Sequence, residues 1–161
     1  MSTIILTQSS KTGSNYKIAK DCYTMIEKIC GDDPQIRNFN DFPQHKLIKA
    51  IEDNDTIIMV VPEWNGSFPY TLKKLIDESG YPSSFKNKEV YLVGTSGGLG
   101  GNMQGLSHLS DVLAYVGARV HPQRIYFPML KNYQRESEQA IASAQMLADL
   151  IKELCSSDPK I

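Results

Sequence analysis

The most informative hydrophobic pattern in the chain is a run of five apolar residues, Ile57 to Val61, that ends at Pro62 and a polar bend. A short apolar run of this kind is typical of a strand buried on both faces of a parallel sheet. In an open α/β sheet, ligands bind beyond the carboxyl ends of such strands. The pattern alone leaves two interpretations open: Pro62–Gly66 lines a binding site, or it is an ordinary turn in which Trp64 fills the core.

Four further short segments have the composition of strands. They are Thr3–Thr7, Gln35–Phe39, Glu89–Gly94 and Arg119–Pro128. Pro122 interrupts the last of them, which is typical of an edge strand because proline cannot donate a hydrogen bond to a neighbouring strand. Apolar residues recur at helical spacing between the strands, and Ser14 or Asn15 is expected to cap the first helix.

The regular alternation of strands and helices predicts an α/β fold with helices on both faces of a parallel sheet. We expect residues 1–161 to form one domain, a three-layer α/β/α sandwich with five parallel strands. Polar or glycine-rich segments follow the first, third and fourth strands, and this placement favours the flavodoxin-like strand order 2-1-3-4-5.

Composition excludes several classes of protein. The hydrophobic fraction of 41% and the charged fraction of 22% are those of a globular protein, and a net charge of -1 offers nothing to attract nucleic acid or an anionic membrane. No apolar run approaches the roughly 20 residues needed to cross a bilayer, and the first residues do not resemble a signal peptide. Cys22, Cys30 and Cys155 are an odd number without CxxC spacing, which favours a reducing compartment over disulfides or zinc. We therefore expect a cytoplasmic protein.

The polar segment Ser9–Asn15, SSKTGSN, separates the first strand from the first helix. Free backbone N–H groups, the helix dipole and small hydroxyl side chains, here Ser9, Ser10, Thr12 and Ser14, together favour a phosphate group. Lys11 adds a positive charge. Neither the Walker pattern GxxxxGK[ST] nor the dinucleotide pattern GxGxxG is present. The segment therefore predicts another kind of phosphate site, with a plain capped turn as the alternative.

The fourth strand leads into Thr95–Gly101, TSGGLGG, which contains four glycines in seven residues. Glycine lets the backbone approach a flat ligand closely and leaves peptide N–H groups free to donate. Because the three segments follow neighbouring strands, they predict a site with a phosphate cradle on one side and donors for a planar polar ring on the other. FMN combines these two features.

The three segments resemble motifs of the NAD(P)H-dependent FMN reductase family, which includes quinone, azo and chromate reductases on a flavodoxin-like fold. The family's S-x-R-x-x-S-x-N is similar to Ser9–Asn15, with Lys11 for arginine and one residue fewer. Its P-E-Y-N-x-S-x-P-x-x-L-K-x-x-I-D resembles Pro62–Asp77, with Trp64 for tyrosine and Tyr70 for the usual glycine. Its glycine-rich run resembles Ser96–Gly101.

The resemblance implies bound FMN, with NADPH or NADH as electron donor and a quinone, an azo compound or a similar small molecule as acceptor. It also implies a homodimer or homotetramer. The implied cofactor-binding residues are Ser9, Lys11, Thr12, Ser14, Asn15, Pro62, Glu63, Trp64, Asn65, Thr95, Ser96, Gly97, Gly98 and Gly101. No side chain is assigned as a general acid or base, because the flavin itself accepts the hydride.

Two alternatives remain beside the reductase. A non-enzymatic electron carrier of the flavodoxin type also fits Ser9–Asn15, although a net charge near zero is unlike the strong single-sign field that steers carriers to their partners. A receiver-type signalling domain needs a cluster of acidic residues after the first strand. This chain has Thr7, Gln8 and Ser9 there, which provide none and therefore argue against this alternative.

Overall fold

Five parallel strands form the sheet at the centre of the structure, a computed structural model that describes residues 2–9, 11–41, 43–130 and 137–156. The strands pair in the predicted order 2-1-3-4-5. They are β1 (Thr3–Thr7), β2 (Gln35–Asn38), β3 (Thr56–Pro62), β4 (Glu89–Thr95) and β5 (Arg119–Phe127). The helices between and after them are α1 (Ser14–Cys30), α2 (Gln44–Glu52), α3 (Tyr70–Asp77), α4 (Met103–Tyr115) and α5 (Glu138–Ser156).

The two faces of the sheet carry separate hydrophobic clusters. Ile57, Met59 and Val61 of β3 pack with α2, α3 and α4, whereas Ile58 and Val60 pack with α1 and α5. All five side chains are at most 2% exposed. Burial on both faces explains why β3 is a continuous apolar run rather than an alternating pattern. The predicted three-layer arrangement is confirmed.

The strand ends differ slightly from the sequence expectation. β2 ends at Asn38 instead of Phe39, and β3 extends by one residue at each end. β5 pairs only with β4 and lies at the edge of the sheet, as Pro122 predicted. The pairing between β4 and β5 changes register between Val90 and Leu92, opposite the proline, because the proline interrupts the regular ladder.

The predicted cap of α1 is wrong. The helix begins at Ser14 itself, and Gly13 occupies the cap position without any side-chain hydrogen bond. The first turn of α1 also contains no acidic residue. The residue at the cap position therefore does not supply the side-chain acceptor that a serine or asparagine would provide there.

The structure also corrects the expectation that the cysteines remain unpaired. The sulfur atoms of Cys30 and Cys155 are bonded, and their Cα atoms are 5.3 Å apart. Cys30 ends α1 and Cys155 lies in the last turn of α5, two helices that pack side by side on the same face of the sheet. A separation of 125 residues hides this proximity in the sequence. Both cysteines lie at the amino edge of the strands, away from the carboxyl ends.

In the parts of the chain that the structure describes, no helix is both long enough and apolar enough to cross a membrane.

The substitution Cys155→Ser should lower the free energy of unfolding by about 2–4 kcal/mol under oxidising conditions, because the bridge closes a long loop and restricts the unfolded chain. Urea unfolding followed by circular dichroism, with and without dithiothreitol, measures this difference. The effect should disappear in dithiothreitol, which also reduces the bridge of the unaltered protein.

Cys22→Ser provides the matched control, since Cys22 is fully buried and unpaired. Its destabilisation should be the same with and without reductant. Identical unfolding curves for Cys155→Ser and the unaltered protein without reductant would contradict the pairing.

Candidate active site

A cleft opens at the carboxyl edge of the sheet, where β1, β3 and β4 end side by side. Its lining comes from the three predicted segments and from the residues that follow β5. The lining residues are Ser14, Asn15, Pro62, Glu63, Thr95, Ser96, Gly97 and Leu130. The structure therefore brings the three segments together at one place.

The predicted site residues divide into two groups. Those that line the cleft are Ser14, Asn15, Pro62, Glu63, Thr95, Ser96 and Gly97. Those that lie outside its lining are Ser9, Lys11, Thr12, Trp64, Asn65, Gly98 and Gly101. Ser10 lies outside the described residues.

The phosphate segment, Ser9–Asn15, presents an uncapped helix start to the cleft. Ser14 and Asn15 line the cleft, while Lys11 and Thr12 form an exposed turn beside it. Because Gly13 supplies no side-chain acceptor, the N–H groups of the first turn can donate to an anion. The donor set consists of backbone amides, hydroxyl groups and one lysine, and these are the groups that bind a phosphate monoester.

Asn38 holds the phosphate segment from the neighbouring strand. Its Nδ2 donates to the backbone oxygen of Ser9 over 2.8 Å, and the backbone N–H of Phe39 donates to Thr7 over 2.8 Å. Sequence reasoning missed this residue. The available signal was its position at the carboxyl end of β2, which pairs with β1.

The turn segment, Pro62–Pro69, follows β3 and folds back on itself. Trp64 and Ser67 exchange backbone hydrogen bonds of 2.8 and 3.0 Å. Between them, Asn65 and Gly66 both have positive φ, 50° and 78°, as the Asn-Gly pair of a tight two-residue turn requires. Trp64 is 43% exposed, so the interpretation that it fills the core is excluded. Its ring lies 6.1 Å from that of Tyr70, between centroids.

Asn102 holds the start of the turn segment through a hydrogen bond to the end of β3. It is fully buried, adopts a left-handed conformation with φ of 69°, and its Nδ2 donates to the backbone oxygen of Val61 over 3.1 Å. The residue therefore ties the end of β3 to the start of α4. Asparagine tolerates a left-handed backbone better than most residues, and an asparagine directly after the glycine segment is only a weak sequence signal for this role.

The glycine segment, Thr95–Gly101, is closed by Ser96. The Ser96 Oγ donates to the backbone oxygen of Gly98 over 2.8 Å and accepts the backbone N–H of Gly101 over 3.0 Å. Gly101 is buried against Tyr126 and not on the cleft wall. Gly98, by contrast, is exposed and has open space where a side chain would project. This open side lets a flat ligand approach the backbone.

Charge is unevenly distributed around the cleft. Lys11 lies within the phosphate segment, whereas Glu63 lines the cleft next to the glycine segment. A Cβ atom built on Gly100 would lie 4.0 Å from the Glu63 Oε2, so the carboxylate faces that segment. The cleft is thus suited to a ligand whose anionic end lies at α1 and whose uncharged end lies near Glu63.

Cys22, His108, Lys73 and Asp77 are not among the residues that line the cleft. Burial raises the pKa of the Cys22 thiol to about 12, so Cys22 stays protonated and unreactive at neutral pH. His108 is exposed on α4, with its Nδ1 3.2 Å from the Oγ of Ser67. Lys73 and Asp77 form an ion pair of 2.7 Å on α3. Among the described residues, no cluster of His, Cys, Asp and Glu could hold a metal ion.

Comparison with known proteins gives consistent results. The sequence model of a family described as NADPH-dependent FMN reductase matches residues 8–130. A 2-hydroxy-1,4-benzoquinone reductase from Burkholderia sp is 35% identical over 82 residues, which cover 48% of this chain. The same alignment covers only 45% of that relative, so this chain matches about half of its length.

Two solved structures illustrate the fold. An NADH:FMN oxidoreductase (EMOB, apo form) has a TM-score of 0.81 at 18% identity, covering 98% of this chain and 91% of that one. A Fusobacterium nucleatum flavodoxin bound to flavin mononucleotide has a TM-score of 0.66 at 18% identity, covering 96% of this chain and 97% of that one. At these identities the likeness establishes the fold, which is flavodoxin-like as predicted.

Gly94→Ala, in β4 directly before the glycine segment, should disrupt the packing of that segment. Its Cβ would lie 2.2 Å from the backbone oxygen of Gly101 and 3.0 Å from the Leu106 Cδ1, so the backbone has to shift. We expect the free energy of unfolding, measured with urea, to fall by about 1–3 kcal/mol.

Gly98→Ala is the matched control in the same segment. A Cβ there meets no atom within 4 Å, and the change should alter stability by no more than about 0.5 kcal/mol. Equal losses in the two variants would show that the close approach of Gly94 and Gly101 does not shape the segment.

Proposed function

This chain belongs to the NADPH-dependent FMN reductase family, and we propose that it uses bound FMN to pass electrons from NADPH or NADH to a small-molecule acceptor. The observation that carries the proposal is the cleft itself. Three segments that are far apart in the sequence, all within the matched residues 8–130, meet there and offer groups suited to the two ends of FMN.

The phosphate of FMN would bind at the start of α1. The uncapped N–H groups, the Ser14 hydroxyl and the hydroxyls of Ser9 and Thr12 supply neutral donors, and Lys11 supplies charge. Asn15 lines the same part of the cleft. The helix dipole adds to the attraction for an anion at this end. This donor set fits a phosphate monoester and supports the assignment of these residues to the cofactor site.

The isoalloxazine ring would lie between the turn segment and the glycine segment. Pro62, Glu63 and Thr95–Gly97 line the cleft there, with Trp64 and Asn65 on the turn outside it and Gly98 and Gly101 in the remainder of the glycine segment. FMN, when bound, supplies the redox chemistry by accepting a hydride from the nicotinamide and releasing the electrons to the acceptor. The residues of the chain hold the cofactor and set the polarity around it.

The acceptor is best described as a flat, electron-poor molecule such as a quinone or an azo compound. The name of the Burkholderia relative, a benzoquinone reductase, supports a quinone. Gly98, next to Gly97 of the cleft lining, is exposed and has open space where a side chain would project, which leaves such a molecule room to approach the ring.

We further propose that the chain is one domain that forms a homodimer or homotetramer in the cytoplasm. Four large apolar side chains lie exposed on the segments and helix starts around the cleft, which supports association at this side of the molecule. They are Trp64, Tyr70, Leu99 and Met103. The thiol pools of the cytoplasm would keep Cys30 and Cys155 reduced. Reduction would leave the cleft unchanged, because both cysteines lie at the opposite edge of the sheet.

A flavodoxin-type electron carrier is the second candidate function. It is favoured only by the shared fold, since the flavodoxin structure resembles this chain at 18% identity. The near-zero net charge and the membership of a reductase family both favour the enzyme.

Lys11→Ala should weaken FMN binding by about 1 kcal/mol, roughly fivefold in Kd, because one exposed positive charge is removed from the phosphate end. The loss should shrink at high salt, which screens exposed charges. Titration of the apoprotein with FMN, followed by flavin fluorescence, measures both effects.

Lys28→Ala, which removes another exposed lysine in the last turn of α1, should leave FMN affinity unchanged. An unchanged Kd in Lys11→Ala would remove Lys11 from the cofactor site.

The enzyme and the carrier differ in their response to nicotinamide. Under anaerobic conditions NADPH or NADH should bleach the visible absorbance of the FMN-loaded protein within seconds, and a benzoquinone should restore it. A stopped-flow spectrophotometer records both phases. An FMN-loaded protein that neither nicotinamide bleaches would favour the carrier.

A further inference from the structure

We propose that Thr95 is a positioning residue for the phosphate segment, which it controls through Asn15, and that its hydroxyl does not bind the flavin ring. This inference rests on the proposed FMN site and assigns Thr95 and Asn15 more specific roles within it. It follows from a chain of hydrogen bonds that crosses the floor of the cleft from the glycine segment to the phosphate segment.

The hydroxyl proton of Thr95 is already in use. Thr95 Oγ1 donates to Asn15 Oδ1 over 2.7 Å, and Thr95 is fully buried at the end of β4. A threonine hydroxyl has only one proton to donate. While this bond is made, the side chain cannot donate to a carbonyl or nitrogen of a ring bound above it.

Asn15 connects Thr95 to the phosphate segment through a second hydrogen bond. Its Nδ2 donates to the backbone oxygen of Gln8 over 3.1 Å, at the point where the chain leaves β1. Gln8 is itself held by α3, since its Oε1 accepts the Thr71 hydroxyl over 3.3 Å. Asn15 thus links the end of β1 and the first turn of α1 to the end of β4.

The sheet does not make this link by itself. β1 and β4 each pair with β3, which lies between them, so their ends share no backbone hydrogen bond. The side chains of Asn15 and Thr95 therefore connect the two segments directly. Loss of the Thr95 hydroxyl should leave the backbone around the ring in place and release the phosphate segment from it.

This role predicts selectivity between two ligands that share one ring. Thr95→Val removes the hydroxyl and keeps the shape of the side chain. It should weaken FMN binding by about tenfold, as expected for a buried hydrogen bond, and change riboflavin binding by less than about twofold, because riboflavin has no phosphate. Thr95→Ser keeps the hydroxyl and should restore the FMN affinity of the unaltered protein.

Fluorescence titration of each apoprotein with FMN and with riboflavin measures the four affinities. The visible absorption spectrum at saturating FMN reports the ring environment, and in Thr95→Val it should match that of the unaltered protein. Equal losses for both ligands, or an altered spectrum, would place the hydroxyl against the ring and overturn the proposal. Unchanged affinity for both ligands would also overturn it.

A double-mutant cycle tests the route through Asn15 independently of riboflavin. In an Asn15→Ala background, which itself weakens FMN binding, Thr95→Val should cost no further affinity. Additive losses would contradict the coupling. Thermal melts of each apoprotein check folding, and if Thr95→Val does not fold, Asn15→Ala alone should show the same selective loss of FMN over riboflavin. If the unaltered protein bound no FMN, the proposed function itself would fail.

Discussion

The burial of β3 on both faces of the sheet is the constraint on which the site depends. A strand whose side chains all point into packed helices can offer no functional group along its length, so chemistry has to begin where the strand ends. Pro62 ends the ladder, and the backbone N–H of Glu63 makes one last bond, of 2.8 Å, to the oxygen of Thr95. The turn segment and the glycine segment therefore begin side by side at the end of the sheet. This hydrogen bond sets the distance between them where they begin.

Sequence reasoning reached the features that depend on local pattern and failed on those that depend on contacts across the fold. The apolar run indicated the burial of β3 and Pro122 indicated that β5 lies at an edge, while the polar or glycine-rich segments after β1, β3 and β4 were sufficient for the strand order. The Cys30–Cys155 pair was missed because only the packing of α1 against α5 brings the two together. The prediction of three segments at one cleft held, but the contact between Asn15 and Thr95 crosses an intervening strand that no local pattern describes.

The wrong prediction of a cap on α1 is informative for the same reason. Polar residues near a helix start normally accept its N–H groups, and leaving the position to glycine costs only a few tenths of a kcal/mol relative to a serine cap. Here Ser14 lies inside the helix and Asn15 turns its side chain to Gln8 and Thr95, so neither satisfies the helix end. Helices α2, α3 and α4 also begin without a side-chain cap hydrogen bond, so the missing cap does not by itself indicate a ligand. What distinguishes α1 is that Ser14 and Asn15 of its first turn line the cleft, where a helix start favours an anion.

The cleft has two chemically different ends, which suits the proposed binding of FMN. The end proposed for the phosphate is shaped by β1, α1 and Asn38, and the end proposed for the ring by the close approach of Gly94 to Gly101. Parallel strands fix each end separately, but the distance between the ends is a property of strands that do not pair. A hydrogen bond between two side chains, one from each segment, fixes that distance without an additional strand or loop. Asn15 and Thr95 form such a bond, and their place on the cleft floor follows from the strand order itself.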